Sequence, residues 1–476
     1  MNSLSNRRYH FSGVGGSGMA PLAQLVALFG AHVTGSDRNL DRGLKLPIFD
    51  ALEEAKVILV PQDGSGIVAG LDALVHSTAV EPNNPDFLRA QELGIPRIRR
   101  GSFLAELAAE RRAIAIAGTS GKTTVTAMVA HILLESGFDP SFLGGGAAIE
   151  LPGSFPPGSL RVGASDWLVV ETDESDGSVA EFSPAIATLT NLTRDHKEVD
   201  VTTDLFGKLL EQTRERAVIH VGDPALAAVP RPGHLPFLTV AVEGDPVWIA
   251  ADLVAGSVRL APNGVRFTIG GAEARVPFPG ILTVQNAALA IATAHAAGIH
   301  VEAAAHSLER FGGVRRRLER IGAADGVDVF DDFAHNPVKI RMSMEALRPS
   351  GSLWVLYQPH GYGPTRFFRD ELIETFGAAL RPGDHLLLAP IYDAGGTANR
   401  TIRSEDIAEP VSRSGRSAKV SASRDEALRD VIEGARRGDR VVVMGARDDT
   451  LPSYAREILA GLLARSGEPA AGRAQR

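Results

Sequence analysis

The chain has 476 residues, of which 44% are hydrophobic and 22% are charged, so it contains enough apolar material for about three domains of ordinary size. Its 49 lysines and arginines against 57 aspartates and glutamates give a formal net charge of -8, which argues against broad electrostatic binding to nucleic acid or anionic lipid. It has no cysteine, which excludes disulfides, thiolate catalysis and cysteine-ligated zinc.

The first hundred residues alternate between short apolar runs and stretches with helical spacing. Strands are predicted over residues 9–12, 31–35, 57–60 and 73–76, and helices over residues 19–29 and 104–107. This alternation predicts βαβ units that form a parallel sheet.

A glycine-rich segment, Gly13 to Gly18, follows the first predicted strand. It matches the dinucleotide-binding fingerprint, and Asp37 stands 19 residues beyond Gly18, where an acidic side chain that binds a ribose hydroxyl is expected. The segment therefore predicts a nucleotide site. A tight turn that binds nothing and a nicotinamide-dependent oxidoreductase are the alternatives that this pattern leaves open.

A second unit begins at Arg112 with an apolar run over residues 113–117, typical of a central strand in a parallel sheet. A helix is predicted from about Thr123 to Glu135, and the loop between them has the composition of a phosphate-binding loop. We expect Lys122 to neutralise the β- and γ-phosphates and the Thr123 hydroxyl to ligate Mg²⁺. The general pattern is only partly met, because Ile116 occupies the position of its first glycine.

Two predicted phosphate loops in one chain indicate two nucleotide-bearing substrates. Hydride transfer needs no nucleoside triphosphate, so the second loop disfavours the oxidoreductase alternative.

Carboxylates cluster after the predicted strand that ends at Val170, in the segment from Glu171 to Asp176. The carboxyl end of a parallel strand beside the phosphate loop is where Mg²⁺ would need oxygen ligands, so we expect Glu171 to bind the metal. His196 follows another strand end and is expected at the same edge as a metal ligand or a base. A solvated acidic loop and a structural histidine are the alternatives.

The rest of the chain predicts an insert and a third unit. Residues 217–280 alternate apolar and polar side chains among prolines and glycines, which predicts an antiparallel insert, and residues 281–300 predict a buried or amphipathic helix rather than a membrane span. The third unit starts near Gly312, with strands over residues 353–357, 385–389 and 440–444, and ends in a frayed tail over residues 465–476. We expect a soluble, cytoplasmic protein.

These segments together resemble the Mur ligases, ATP-dependent enzymes of peptidoglycan synthesis that join an amino acid or peptide to a UDP-linked muramoyl carboxylate. Residues 118–123 are similar to the family's ATP loop, and the glycine-rich start with Ser36, Asp37 and residues 77–85 looks like its UDP-binding domain. The segments that resemble its C-terminal domain are residues 313–319, 331–335, 358–360 and 444–448. Several of these segments are similar to the branch that adds L-alanine to UDP-N-acetylmuramate.

The resemblance implies an α/β protein with three domains. These are an N-terminal Rossmann-like UDP-binding domain over residues 1–110, a central P-loop ATPase-like parallel sheet with an antiparallel insert over residues 111–312, and a C-terminal Rossmann-like, acceptor-binding domain over residues 313–464. ATP and Mg²⁺ are the implied cofactors, and UDP-N-acetylmuramate with an amino acid or short peptide are the implied substrates. We expect a monomer or homodimer with no nucleic-acid or membrane partner.

The resemblance also implies roles for individual residues. The implied catalytic residues are Lys122, Glu171, His196 and Arg317, and the implied metal ligands are Thr123, Glu171 and His196. The implied ATP-binding residues are Gly118, Thr119, Ser120, Gly121, Lys122, Thr123, Thr124, Asn286, Arg317 and Asp332. The implied UDP-sugar residues are Gly15, Gly16, Ser17, Gly18, Asp37, Ser77 and Thr78, and the implied acceptor residues are His335, His360 and Arg366.

The chain departs from the family pattern where the acceptor is chosen. The differing positions are Asn336, Val338 and Lys339, where the L-alanine branch usually has histidine, threonine and glutamate, and Gly361, where it has an arginine. Two alternatives therefore stay open. One is a recycling ligase that attaches a preformed peptide to the same sugar nucleotide, and the other is a non-catalytic Mur-like nucleotide-binding protein.

Overall fold

The computed structural model describes residues 4–194, 198–393 and 399–467. The chain forms two compact units: Met1–Arg259, Arg266–Val276 and Val284–Gly313 make up the first, and Leu260–Val265, Pro277–Thr283 and Val314–Arg476 make up the second. Among the described helices, none combines the length and apolar character that a membrane span needs.

The N-terminal sheet has five parallel strands in the order β3-β2-β1-β4-β5. Its elements are β1 (Arg8–Ser12), α1 (Met19–Leu28), β2 (His32–Ser36), α2 (Arg38–Asp41), α3 (Pro47–Glu54), β3 (Ile58–Leu59), β4 (Ala73–His76), α4 (Pro85–Glu92), β5 (Arg97–Arg99) and α5 (Arg100–Ala109). The predicted βαβ units are confirmed. The strand order reverses between β1 and β4, so the loops after these two strands border the crevice where ligands of such sheets bind.

The central sheet has eleven strands in the order β16-β15-β14-β13-β12-β11-β6-β10-β7-β9-β8. Its elements are β6 (Arg112–Ala117), α6 (Lys122–Glu135), β7 (Ser141–Leu143), β8 (Ser154–Phe155), β9 (Leu160–Arg161), β10 (Trp167–Glu171), β11 (Ile186–Leu189), α7 (Val199–Gln212), β12 (Arg216–His220), β13 (Phe237–Val242), β14 (Leu253–Ala261), β15 (Gly264–Ile269), β16 (Ala272–Val276), α8 (Ile281–Ala296) and α9 (Val301–Ser307). β6 pairs in parallel with β10 and β11, and its residues 113–117 are at most 1% exposed, as the continuous apolar run predicts.

The predicted antiparallel insert over residues 217–280 is wrong for its first half. β12 pairs in parallel with β11, β13 with β12 and β14 with β13, and the links between these strands are long enough for crossovers. The links from β14 to β15 and from β15 to β16 have the two-residue length of hairpin turns. At the β14–β15 tip, Pro262 O accepts a hydrogen bond from Arg440 Nη2 at 2.6 Å, and both residues belong to the second unit.

The C-terminal sheet has the order β17-β18-β22-β19-β20-β21, in which only the β17–β18 pair is antiparallel. Its elements are β17 (Glu319–Ala324), β18 (Val327–Asp332), α10 (Pro337–Ala346), β19 (Leu353–Gln358), α11 (Tyr362–Phe367), α12 (Arg369–Ala379), β20 (His385–Leu388), α13 (Glu405–Arg413), β21 (Ser417–Val420), α14 (Arg424–Gly434), β22 (Arg440–Gly445) and α15 (Leu451–Ser466). Apolar clusters cover both faces of the sheet. The predicted tail begins too early, because Arg465 still belongs to α15.

Candidate active site

The loop between β6 and α6 has a backbone that only glycine accommodates at two positions. Gly118 has a φ of +136°, and a Cβ added there would lie 2.0 Å from Thr190 Oγ1. Gly121 has a φ of +82°, and its added Cβ would lie 2.4 Å from Oδ1 of Asn286. The predicted ATP residue Asn286 is thus next to the loop, and α6 begins directly after it at Lys122.

Asn191 holds this loop in place through contacts with two of its residues. Asn191 Oδ1 accepts hydrogen bonds from Ser120 N and Thr119 Oγ1, both at 2.8 Å, and Nδ2 donates to Ser120 O at 2.9 Å. The main-chain oxygen of Asn191 accepts from Thr119 N at 3.2 Å. Asn191 is not among the predicted ATP residues, since only the pairing of β11 with β6 brings it to the loop.

The predicted phosphate-binding lysine forms a buried ion pair. Lys122 Nζ lies 2.7 Å from Glu174 Oε2 and donates to Gly118 O at 2.5 Å. Burial alone would lower the pKa of Lys122, but the carboxylates of Glu174, Glu171 and Asp173 outweigh burial and raise it, so the lysine stays protonated. Glu174 was predicted only as part of an acidic segment, because sequence does not indicate which carboxylate of such a run reaches the lysine.

The residues predicted to bind the metal lie at the ends of two neighbouring elements. Glu171 is the last residue of β10, and its Oε2 accepts a hydrogen bond from Gly145 N at 2.9 Å. Thr123 is buried in the first turn of α6 and Thr124 is half-buried beside it, whereas His196 lies outside the described residues. Within the described part of the chain, no three acidic or histidine side chains are grouped so that they could hold a metal ion.

Asp37, the predicted ribose-binding residue, lies against the glycine-rich loop of the N-terminal sheet. Its Oδ2 accepts a hydrogen bond from Gly15 N at 2.9 Å, and its Oδ1 accepts one from Asn39 N at 2.8 Å. Asp37 therefore both caps α2 and fixes the glycine-rich loop, while each carboxylate oxygen keeps a further lone pair for a ligand.

The other predicted UDP-sugar residues lie on the loops after β1 and β4. A Cβ added to Gly13 would lie 3.4 Å from Val80 Cγ2, so these two loops are in contact. Towards solvent they present Gly16, Ser17 and Thr78, which are exposed, and Gly18 and Ser77, which are half-buried.

A fully buried polar network supports these loops from below. Ser12 Oγ and Ser36 Oγ donate to Asp86 Oδ2 at 2.5 and 2.6 Å, and Asp86 Oδ1 accepts from Gly64 N at 3.2 Å. Burial alone would raise the pKa of Asp86, but hydrogen bonds from His10, Ser12 and Ser36 lower it, so the carboxylate stays ionised. Ser36 O in turn accepts from two N–H groups of the glycine-rich loop. The polar residues of β1 and β2 are the feature of the sequence that could have indicated this network. The sequence does not identify Asp86 as their partner.

The three consecutive arginines from Arg315 to Arg317 have different surroundings. Arg316 Nη2 donates to Gly445 O at 2.8 Å. The Arg317 guanidinium lies 4.9 Å from the ring centroid of Phe333, in cation–π range. Arg316 and Arg317 are therefore not part of the solvated basic run that their sequence alone would favour, whereas Arg315 is exposed and pairs with Glu319.

The predicted ATP residue Asp332 lies near Arg317. Its Oδ2 accepts a hydrogen bond from Ser343 Oγ at 2.7 Å, and its Oδ1 accepts one from Ala334 N at 3.0 Å. Burial raises the pKa of Asp332, although Ser343 and the positive charge of Arg317 oppose it. The structure thus brings together Arg317 and Asp332, which the resemblance assigned to ATP.

We expect Asp331→Asn to remove a pH-dependent loss of stability. Burial raises the pKa of Asp331 from 3.8 to about 6, although Arg316, 3.5 Å away, opposes it. Because the folded state holds the proton more tightly than the unfolded state, the free energy of unfolding falls between about pH 4 and pH 6, by about 3 kcal/mol. Urea unfolding of wild type and variant should therefore agree at pH 4, and the variant should be more stable above pH 6. Equal stabilities at both values would contradict this.

Two of the three predicted acceptor residues are adjacent. The rings of His335 and His360 have centroids 5.0 Å apart at an interplanar angle of 84°. Arg366 donates instead to Asn399 O at 2.8 Å and to Thr401 Oγ1 at 3.3 Å. The structure thus groups the histidines and gives Arg366 a different set of partners.

Two of the substituted positions have local structural roles. Asn336 caps α10, with its Oδ1 accepting from Lys339 N at 2.9 Å. Gly361 has a φ of +68°, a conformation that an arginine adopts only with strain. A glycine at position 361 therefore agrees with the backbone that this chain adopts there.

Three domain families match consecutive parts of the chain. They are the Mur ligase family catalytic domain over residues 8–112, the Mur ligase middle domain over residues 116–294, and the Mur ligase glutamate ligase domain over residues 316–447.

Curated relatives and solved structures match along nearly the whole length. The UDP-N-acetylmuramate--L-alanine ligase of Phenylobacterium zucineum is 33% identical over 470 residues, covering 94% of both chains, and that of Desulforamulus reducens is 32% identical, covering 93% of this chain and 96% of its own. The UDP-N-acetylmuramate-alanine ligase structure from Thermotoga maritima has a TM-score of 0.75 at 23% identity, with 96% and 99% coverage. A murein peptide ligase structure from Psychrobacter arcticus has a TM-score of 0.66 at 24% identity, with the same coverages. These two structures establish similarity of fold.

Proposed function

Because this chain belongs to the Mur ligase family, we propose that it joins L-alanine to the carboxylate of UDP-N-acetylmuramate in an ATP-dependent step of peptidoglycan precursor synthesis. The observation that carries the proposal is the identity of 32–33% to UDP-N-acetylmuramate--L-alanine ligases over more than nine-tenths of the chain. The enzyme is an ATP-dependent, amide-forming ligase with an α/β fold of three domains, for which we propose the bounds 1–110, 111–312 and 313–464.

The phosphate loop suits ATP. Its left-handed glycines, Gly118 and Gly121, pack closely against Thr190 and Asn286, and the protonated Lys122 lies at the start of α6, where a helix favours an anion. In the proposed reaction the muramoyl carboxylate attacks the γ-phosphoryl group of ATP, and the bond from that phosphorus to the bridging oxygen breaks, which forms an acyl phosphate and releases ADP. The amine of the acceptor then displaces phosphate through a tetrahedral intermediate to form the amide. Lys122 and Arg317 would stabilise the negative charge that moves during phosphoryl transfer.

We propose Mg²⁺ as the metal. Thr123 and Glu171 offer hydroxyl and carboxylate oxygens, which Mg²⁺ prefers, and His196 is the third proposed ligand. Among the described residues, no three acidic or histidine side chains are grouped so that they could hold the ion by themselves. Phosphate oxygens and water would therefore complete its coordination. Bound there, the ion would neutralise phosphate charge.

The crevice bordered by the loops after β1 and β4 is the proposed UDP-sugar site. His335 and His360 belong to the proposed acceptor site. Arg366 remains the proposed partner of the acceptor carboxylate. Since ATP and a UDP-linked sugar are cytoplasmic metabolites, we propose a cytoplasmic enzyme.

Phosphate release with ATP, Mg²⁺ and UDP-N-acetylmuramate tests the acceptor directly. We expect release that depends on L-alanine and exceeds the rates with glycine, L-serine and a free tripeptide by at least about tenfold. Release only with the tripeptide would move the protein to the recycling branch. No release with any acceptor would overturn the enzyme proposal.

We expect Asp37→Ala to weaken the UDP-sugar site and spare the ATP site. The change removes a charged acceptor from Gly15 N together with the proposed ribose contact, so KM for the UDP-sugar should rise about tenfold or more. KM for ATP should stay within about twofold. Asp41→Asn, an exposed change on the same helix, is the matched control and should leave both constants unchanged. Equal loss of both affinities in Asp37→Ala would contradict separate sites.

A further inference from the structure

Arg316, in the turn before β17, adopts a costly conformation. Its φ is +59°, in the left-handed region that residues other than glycine adopt only with strain. Its side chain is 14% exposed, and its Nε makes no hydrogen bond within the described part of the chain. Neither feature is expected of an arginine whose only role is solubility.

The carboxylate that faces Arg316 is also poorly satisfied. Asp331, in β18, is fully buried, and neither of its carboxylate oxygens makes a hydrogen bond to another described residue. Its Oδ2 lies 3.5 Å from Arg316 Nε. A buried ion pair whose hydrogen bonds are unmet is often less stabilising than uncharged side chains of similar size. The pair therefore calls for a role other than stability.

The contacts of Arg316 fix the turn that carries Arg317, the proposed ATP residue. Arg316 O accepts a hydrogen bond from Phe333 N at 2.7 Å, and Arg316 Nη2 donates to Gly445 O at 2.8 Å. The guanidinium groups of Arg316 and Arg317 lie 5.0 and 4.9 Å from the centroid of the same Phe333 ring. Arg316 thus ties the turn to the end of β22 and to the aromatic residue against which Arg317 packs.

We propose that Arg316 and Asp331 form a positioning pair, which holds the Arg317 guanidinium in the direction that phosphoryl transfer requires and lowers the stability of the fold. The proposal rests on the proposed function, which assigns Arg317 to the charge that moves from ATP. Arg316 and Asp331 act through the turn and do not themselves contact ATP. Since the charge that Arg317 meets develops in the transition state, a misdirected Arg317 should slow the chemical step more than it weakens ATP binding.

A double variant without either charge separates positioning from stability. Arg316→Met with Asp331→Asn keeps side chains of similar size and should unfold at the same urea concentration as wild type or a higher one. We expect kcat for phosphate release with ATP, Mg²⁺, UDP-N-acetylmuramate and L-alanine to fall about 10- to 100-fold at pH 8, and KM for ATP to change by less than about threefold. Wild-type kcat in this variant would overturn the proposal, and so would a KM for ATP that rises as much as kcat falls.

The single variant Asp331→Asn gives the same test with the smallest change of structure. At pH 8 wild-type Asp331, with a pKa of about 6, is ionised, so the variant removes a buried charge and should be the more stable protein. We expect its kcat to be about three- to tenfold lower, because Arg316 keeps its bond to Gly445 but loses its counter-charge. A gain in stability with unchanged kcat would show a purely structural pair and overturn the proposal.

Arg320→Met with Asp328→Asn is the matched control. Arg320 and Asp328 form a more exposed ion pair between β17 and β18, with Nη2 and Oδ1 2.7 Å apart. The substitutions are the same, so they reproduce any general effect on the β17–β18 hairpin. We expect kcat within about twofold of wild type. An equal loss of kcat in this control would overturn a specific role for Arg316 and Asp331.

Arg317→Ala shows whether the pair acts through Arg317. When Arg317 is absent, adding Arg316→Met and Asp331→Asn should lower kcat by less than about threefold further, because the effects of residues that act as one unit do not add. A further loss of about tenfold or more would overturn the proposal. Wild-type protein that releases no phosphate with any acceptor would refute the proposed function instead, so the two failures are distinguishable.

Discussion

Lys122→Ala should reduce kcat for ATP-dependent ligation by about a thousandfold or more, since it removes the positive charge that we propose stabilises the transferred phosphoryl group. Phosphate release with saturating substrates is the measurement. The variant also leaves Glu174, whose side chain is 4% exposed, without its ionic partner. An unpaired buried charge costs about 3–5 kcal/mol, so the single variant should unfold at lower temperature as well.

A double variant separates the chemical role of Lys122 from its structural one. The double variant, Lys122→Ala with Glu174→Gln, lacks both charges of the ion pair. It should therefore regain much of the thermal stability that the single variant loses, but it should remain inactive. The single variant Glu174→Gln keeps the lysine, so this protein should still bind ATP. Recovery of more than a tenth of wild-type turnover in the double variant would show that Lys122 acts mainly through folding.

Asn191→Ala should lower kcat/KM for ATP by about a hundredfold. The amide makes three hydrogen bonds to the phosphate loop, and its loss leaves Ser120 N without an acceptor from that side chain. Three lost bonds of about 1 kcal/mol each account for this magnitude. KM for the UDP-sugar should be unaffected, because that site is proposed in the N-terminal domain.

Thr193→Val is the matched control for Asn191→Ala. Thr193 Oγ1 lies 2.9 Å from Thr119 Oγ1, at the outer side of the same network, and contributes no side-chain bond to the loop backbone among the described contacts. We expect a change in kcat/KM for ATP of less than about threefold. Similar losses in both variants would refute a specific positioning role for Asn191.

Local sequence patterns predicted most of the sheets. The apolar run before Gly118 identified the central strand because a strand buried on both faces admits few polar side chains. Proline and glycine content predicted turns but not strand direction, which depends on the length of each crossover. For that reason β12 to β14 were expected antiparallel and are parallel.

Within the candidate site, sequence predicted segments better than partners. The glycine-rich loops were recognisable because their chemistry is local to the backbone. Asn191 was not, since it reaches the phosphate loop from the end of another strand. Arg315 to Arg317 are alike in sequence, yet Arg315 pairs with Glu319 while the guanidinium of Arg317 is over an aromatic ring.

The β14–β15 hairpin tip limits how the gene can be divided. Residues 260–265 and 277–283 belong to the second unit although they precede its main segment, which starts at Val314. A fragment expressed from residue 314 onward would therefore lack Pro262, whose carbonyl oxygen accepts a hydrogen bond from Arg440, a residue that is 3% exposed. Leaving a buried guanidinium without that acceptor costs about 1–3 kcal/mol or more. We expect such a fragment to be less stable than the same region within the whole chain, so ligand studies of the second unit are best done on the intact polypeptide.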